Sequence, residues 1–359
     1  MRLSITPLDT VFFRDGKAFT MGEESQANGL FPPPPSVVRG ALRTRYFTEH
    51  PGALAKAGDP GRDPTYNASI TGMTLYHKGS GETFFPLPRD LVHPQSKDND
   101  YSVVPSVPVL ERDGVCGSSA VAKPLTHPDT VESPKQAWIG DLDLEDYLYG
   151  REKTYAAVPQ SELVSTEPKI GVMMNRKTRG AKEGHLYRVG FRRLKKGVSF
   201  SIQVEGLSIS PSGLLKLGGE AKPAHYQTTD TDWPVPPAPV SAIEEQNAFK
   251  LYLSTPALFT NGWLPSWIDP DTHQGTLGAC TLRLESAAVG KPQVVGGWDM
   301  KKGCPKPMRK AVPAGSVYYF AVESGPVQDA LDRLHGTSCS DHWMKDGFGV
   351  GYVGTAHPA

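Results

Sequence analysis

The stretch GFGVGYVGTAHPA at 347–359 constrains the architecture more than any other. Within it, Gly349-Val-Gly351-Tyr-Val-Gly354 has the GxGxxG spacing of a dinucleotide-binding turn. That turn works only where a helix follows, because the helix N-terminus holds the pyrophosphate. Five residues follow Gly354, Pro358 among them, and no helix is expected there. A doubly wound nucleotide-binding sheet is therefore not expected, and no cofactor is expected with it. These glycines must serve some other need for backbone without side chains.

The rest of the chain points to many short elements. Its 359 residues exceed what a single core usually organises, so two domains are expected. With 37 Gly and 33 Pro but 38% apolar residues, the chain reads as loop-rich and folded rather than disordered. The four cysteines, 116, 280, 304 and 339, form no CxxC pair, and reduced thiols are expected. No uncharged run approaches a bilayer span, and MRLSITPLD has no apolar signal-peptide region. A soluble, cytoplasmic protein is expected.

Lys plus Arg and Asp plus Glu both number 38, so the net charge is zero, but the distribution is uneven. Residues 169–196, KIGVMMNRKTRGAKEGHLYRVGFRRLKK, hold ten Lys or Arg against one acid, Glu183. Such a concentration suits phosphate contacts. KKGCPKPMRK at 301–310 is a second, shorter basic cluster, and DLDLEDYLYG at 141–150 is acidic.

Coarse patterning predicts a strand over RLSITPLDTVFF and a turn at Asp15-Gly16. A proline-stiffened loop over 22–35 precedes a helix over 37–47, with Ser36 as its N-cap. On that helix Val37, Val38, Ala41 and Leu42 form the apolar face, and Arg39, Arg43 and Tyr46 a separate stripe. Residues 69–88 predict a hairpin. Residues 94–160 look irregular, with a helix near 143–149. Strands over IGVMM and HLYRVGF flank the polar NRKTRGAKEG, which predicts a protruding basic hairpin. VSFSIQVEGL closes the first unit as a strand, and WPVPPAPV at 233–240 is a stiff linker. FKLYLSTPALF, CTLRLES and SVYYFAVE are strands, and PVQDALDRLHG a short helix. Strand, helix, hairpin and further strands favour a ferredoxin-like or RRM-like α+β fold. The domain boundary is expected near 208–240, with one core shared by the two halves as the alternative; the division taken is 1–207, with an insertion at about 94–160 and the basic hairpin at about 169–190, and 208–359.

PLDTVFFRDGKAF, GLFPPPPSVVRGALR, PKIGVMMNRKTRGAKEGHLY, LGGE, PAGSVYYF and GFGVGYVG occur in that order between residues 5 and 354. In combination they resemble the RAMP superfamily of CRISPR effector proteins, and within it the third-subunit family of type III-B (Cmr) complexes. The resemblance implies two ferredoxin-like RAMP domains and a C-terminal glycine-rich loop. It also implies a non-catalytic subunit that grips the repeat-derived 5′ tag of the crRNA. Its implied partners are the large polymerase-like subunit and a backbone RAMP subunit of the same complex.

Single-stranded RNA is held by basic grooves, close backbone approach and aromatic stacking. Lys169, Arg176, Lys177, Arg179 and Lys182 are therefore the candidate phosphate ligands. Asn175 is a candidate base reader, and His185 and Tyr187 are candidate stacking rings. Lys216 with Gly218 and Gly219, and Arg39 with Arg43, are further candidates. Gly347, Gly349 and Gly351 either let the main chain approach RNA, with Tyr352 as a stacking ring, or pack one domain on the other. The RNA-facing arrangement is the expectation. Trp263 and Trp267 in WLPSW are either core residues or anchors for a neighbouring subunit. An alternative function is a metal-independent endoribonuclease that processes precursor crRNA with His185 as general base, but no second base is fixed near it. The ten histidines show neither HxxxH nor HxH spacing, so no metal site is expected.

Overall fold

The computed structural model describes residues 1–14, 26–27, 29–95, 101–108, 123–151, 154–174, 178–299 and 303–357. In the first part of the chain the elements are β1 (Arg2–Pro7), α1 (Pro35–Glu49), β2 (Ser69–His77), β3 (Glu82–Pro86), β4 (Ala137–Gly140), α2 (Asp141–Tyr149) and β5 (Val158–Pro159). The hairpin β6 (Val164–Met174) and β7 (Ala181–Leu194) follows, then β8 (Val198–Glu205), β9 (Ser212–Leu217) and β10 (Lys222–Thr229). Eight strands form one sheet in the order β5-β4-β3-β2-β8-β1-β10-β9, and its printed pairings are antiparallel.

Alternation builds this sheet's core face. Leu3 and Ile5 of β1 lie opposite Ile202 and Phe200 of β8, which lie opposite Met73 and Leu75 of β2. All six are buried, with Val38, Ala41 and Leu42 of α1 in the same cluster. The helix begins one residue before the expected Ser36 cap. Pro34 occupies the cap position without a side-chain hydrogen bond, and Pro35 opens the first turn, where a missing N–H costs nothing. The opposite face is polar around Arg2, whose Nε donates to Ser201 Oγ at 2.9 Å. The expected linker lies on this face: a Cβ at Gly72 would run into the Trp233 ring.

The second part contains α3 (Val240–Gln246), β11 (Ala248–Leu253), β12 (Gln274–Leu277) and β13 (Cys280–Ala288). Short strands β14 (Gln293–Val295), β15 (Trp298–Asp299), β16 (Cys304–Pro305) and β17 (Arg309–Ala311) follow, then β18 (Val317–Ser324), α4 (Val327–Leu334) and β19 (Gly351–Thr355). The sheet order here is β12-β13-β18-β11-β19. Helices α3 and α4 cover its core through Ile243, Val327, Ala330, Leu331 and Leu334.

Two expectations change. Hairpin β9–β10 hydrogen-bonds to β1, so a boundary at 207/208 divides a single sheet; the chain passes from one sheet to the next between 230 and 247. Within the stretch 94–160, the described β4 and β5 extend the first sheet, and α2 fills the seam between the sheets. Leu144, Tyr147 and Leu148 of α2 share a buried cluster with Phe85 from one side and Tyr252, Val317, Tyr319 and Tyr352 from the other. The result is an α+β chain of mostly antiparallel sheets with a common central core.

Candidate nucleic-acid interface

The β6–β7 hairpin is the expected basic arm, and it is longer than the two flanking strands predicted. Its pairing runs from Val164↔Leu194 at the root to Met174↔Ala181 near the tip. The root is fixed to the body. Val11 and Arg192 exchange backbone hydrogen bonds of 2.8 Å in both directions, and the Phe12 ring lies 5.6 Å from Phe191. Beyond the root the arm leaves the core. Ile170, Val172 and Met174 alternate along β6 and are exposed by 68%, 41% and 54%. Arg188 lies across from Ile170 and is also exposed. Three large apolar side chains in a row beside an arginine make a surface that prefers covering to hydration.

Of the expected arm residues, Lys169 holds its Nζ 4.0 Å from the Phe191 ring centroid, and Arg179 sits exposed in the turn with φ +53°. Asn175, Arg176 and Lys177 lie outside the described residues. Lys182, His185 and Tyr187 stand on β7, but their side chains lie outside the described residues. Near the root the charge is already compensated. Arg193 bonds Glu167, and Asp9 at 2.9 Å, and these bonds raise its pKa further. Among the described residues, the outer part of the arm exposes Arg179 and Arg188.

The remaining candidates take up different positions. Arg39 Nη1 pairs with Asp346 at 2.9 Å, and its Nε donates to the Ala68 carbonyl. Arg43 pairs with Asp63 at 2.6 Å and donates to Thr65 Oγ1. Their donors are used inside the protein, so the expectation that they contact RNA is corrected to a structural role. Gly218 lies against Phe12: a Cβ there would stand 2.7 Å from the Phe12 carbonyl oxygen, and Gly219 N–H donates to that same oxygen at 2.8 Å. This glycine pair receives the protein's own main chain in place of RNA. Lys216 is exposed on edge strand β9.

The C-terminal glycines face the protein's own interior, Gly347 against Ile70 of the first sheet and Gly349 and Gly351 within the second part, which corrects the RNA-facing expectation. Gly347, Gly349 and Gly351 are buried. A Cβ at Gly347 would lie 2.7 Å from Ile70 Cβ, at Gly349 2.6 Å from Ser340 N, and at Gly351 2.7 Å from Leu251 Cδ1. Gly347 and Gly349 also hold φ of +96° and +74°, a region L side chains rarely adopt. Tyr352 is 2% exposed, and its hydroxyl accepts a 2.7 Å bond from Trp233 Nε1. Burial pushes that hydroxyl up to about 12. The loop thus clasps the two sheets, with Asp346 on Arg39 and Lys345 Nζ on Asn67 Oδ1 at 3.0 Å. Trp263 and Trp267 pack on Tyr318 and Phe320 of the second core, the core alternative for that pair.

Two features escaped the sequence reading. The first is the apolar row on β6, signalled by the alternation of Ile170, Val172 and Met174. The second is a buried polar cluster at the seam. Asp90 is 1% exposed and accepts from Tyr147 Oη at 2.7 Å and Tyr319 Oη at 2.6 Å. Lys250 Nζ lies 3.4 Å from the Tyr147 ring centroid. Desolvation lowers the Lys250 pKa to about 8, against the opposing pull of Asp90. No local pattern brings residues 90, 147, 250 and 319 together. Among the described residues, no group of three or more His, Cys, Asp or Glu side chains is placed to hold a metal ion, and no helix is long and apolar enough to cross a membrane.

The fold is similar to that of chains in two solved complexes. One is Type III-B Cmr-beta bound to cognate target RNA and AMPPnP, state 1, with TM-score 0.55, 19% identity, and 89% of this chain and 86% of that chain covered. The other is Type III-B Cmr-beta bound to cognate target RNA, with TM-score 0.54, 20% identity, and the same 89% and 86%. No curated protein matches the chain in sequence. A profile of the family described as CRISPR-associated protein (Cas_Cmr3) matches residues 3–356, and the chain therefore belongs to that family.

Proposed function

We propose that this chain is a non-catalytic, cytoplasmic, crRNA-binding subunit of a type III-B effector complex. It grips the repeat-derived 5′ tag and bridges the large polymerase-like subunit to the backbone RAMP subunits. Family membership supports the place in such a complex. The observation that carries the RNA role is the β6–β7 arm: a rooted ribbon whose outer part presents exposed cations beside the bare Ile170, Val172 and Met174. Cations track phosphates and apolar side chains contact unstacked bases, so this pairing of chemistries fits a single strand better than a duplex.

The proposal includes two ferredoxin-like sheets. In the first sheet β10-β1-β8-β2, and in the second β19-β11-β18-β13, follow the order 4-1-3-2 with antiparallel neighbours. Each keeps one of the two crossover helices, α1 in the first and α4 in the second.

The test incubates the protein with precursor crRNA and with tag RNA in chelator. Binding of the tag with no cleavage is the expected result. Products of tag length would establish the endoribonuclease instead, and absence of binding at low salt would remove the RNA role.

A further inference from the structure

The second basic cluster has no part in the arm described above. In the second sheet it lies in the connection between β13 and β18, the strands in positions 2 and 3 of the order 4-1-3-2. In the first sheet positions 2 and 3 are β2 and β8, and the β6–β7 arm lies between them. Two basic ribbons thus leave the two sheets at the same topological point.

The second ribbon is a two-step antiparallel hairpin. Val295 pairs with Arg309 and Trp298 with Pro305. Its root is rigid: Val295 and Ala311 are fully buried in a cluster with Leu258 and Phe348. Its outer part is open. Trp298 is 56% and Met308 60% exposed, and Gly296-Gly297 place no side chain beside the indole. Residues 291–310 contain six Lys or Arg against one acid, Asp299. Among the described residues, Lys306, Arg309 and Lys310 have no carboxylate at ion-pair distance. Lys306 and Arg309 instead stand over the Trp343 ring, 5.5 and 5.9 Å from its centroid. Arg39, Arg43 and Arg193, by contrast, each bond a carboxylate.

We propose that this ribbon is a second single-stranded RNA contact, in which Trp298 stacks on one unpaired base while Lys306, Arg309 and Lys310 meet the adjoining phosphates. The unneutralised charge selects a polyanion, and the exposed indole selects a strand whose bases are free to stack. A protein partner for so basic a ribbon would need an acidic surface with a pocket for the indole, an outcome that the test below separates from RNA binding. The proposal rests on the RNA-binding function argued above and adds a separate site to it.

The test is fluorescence anisotropy of a short labelled single-stranded RNA with the full chain, over a range of salt. Trp298→Ala is expected to weaken binding about tenfold, and Trp298→Phe to restore most of it. Lys310→Ala is expected to flatten the slope of log K against log salt by about 0.7. Both positions are exposed, so an unchanged melting temperature accompanies the effect. Arg188→Ala on the β6–β7 arm separates the two claims. If Arg188→Ala weakens binding and Trp298→Ala does not, the ribbon proposal falls and the arm stands. If the wild type binds no RNA, both fall. If Trp298→Ala keeps full RNA affinity but loses a co-purifying protein, the ribbon is a protein contact and the proposal is overturned.

Discussion

At Gly349 the two conditions that forbid a side chain coincide. Its φ is +74°, and a Cβ would stand 2.6 Å from the Ser340 nitrogen, a main-chain atom that cannot rotate away. Gly351 has no positive φ, and its nearest obstacle is the movable end of the Leu251 side chain at 2.7 Å, with the Tyr252 carbonyl oxygen at 3.3 Å. Gly349→Ala is therefore expected to lose more stability than Gly351→Ala, with each in the range of about 1–3 kcal/mol. Urea unfolding of both variants checks the order, and RNA affinity measured on the folded fraction should equal that of the wild type. Equal stability with weakened RNA binding would return these glycines to the RNA interface. The sequence showed that backbone was wanted at 347–354 and excluded a cofactor turn. It did not show what the backbone approaches, because Ile70 and Leu148 are brought there by the meeting of the two parts and Ser340 by the fold of the loop before it. The stripe of Arg39 and Arg43 shows a related limit. A stripe at helical spacing fixes which side chains share a face, while Asp346, which occupies Arg39, lies 307 residues away.

Among the elements, the β6–β7 arm was the most legible. Alternation in IGVMM and HLYRVGF, with polar residues between, specified two paired strands, and they pair. The added length came from residues 164–169, 181–184 and 192–194, whose Pro, Glu, Lys and Arg content hides a strand signal; Val11 and Phe12 support the root from outside. The outer arm's described tertiary support is the short strand Gln26–Ala27, which pairs in parallel with Arg188 and Val189 of β7. Ile170→Ser with Val172→Ser is expected to leave the melting temperature within a few degrees, because both side chains are already solvated in the free protein. If the arm contacts single-stranded RNA, the same double change lowers affinity while leaving the slope of log K against log salt unchanged, since no charge is removed. Arg179→Ala with Arg188→Ala should do the reverse in slope, flattening it by up to about 1.4 if each meets one phosphate. A salt slope that ignores the arginines would detach the arm from the phosphates. Helix α2 was also legible as a helix, with Asp141 and Asp143 in its first turn and Gly150 capping its end. Its place in the seam was not, since Leu144, Tyr147 and Leu148 only fix which face is buried.

At the scale of the whole molecule, the shared central core makes the two sheets one cooperative body, and the buried Asp90–Tyr147–Tyr319–Lys250 cluster is its polar centre. Asp90 comes from the loop after β3, Tyr147 from α2, and Lys250 and Tyr319 from neighbouring strands β11 and β18. Separating the sheets would break the two hydroxyl bonds to Asp90 and expose the shared apolar core around them to water. Heat or urea is thus expected to unfold both sheets in one transition, seen at the same midpoint by tryptophan fluorescence and by circular dichroism. Lys250 gives the cluster a pH signature. Burial lowers its pKa from 10.5 in the unfolded chain to about 8 in the folded one. Between those values the unfolded chain binds the extra proton, so stability from this group rises with pH; below about 8 both states are protonated and the contribution is flat. Tyr147 and Tyr319 are pushed well above 10 by burial, so they oppose this trend only where unfolded tyrosines ionise. Buried Cys339, raised to about 12, opposes it from about pH 9 upward. The clean measurement is therefore a difference. Unfolding free energy of the wild type minus that of Lys250→Met should be flat from pH 6 to 8. It should then rise by at most about 1.4 kcal/mol per pH unit up to pH 10. The cysteines and tyrosines, common to both proteins, cancel from the difference. A difference that stays constant across pH 8–10 would mean that Lys250 keeps its proton inside the seam, held by Asp90 as a true ion pair.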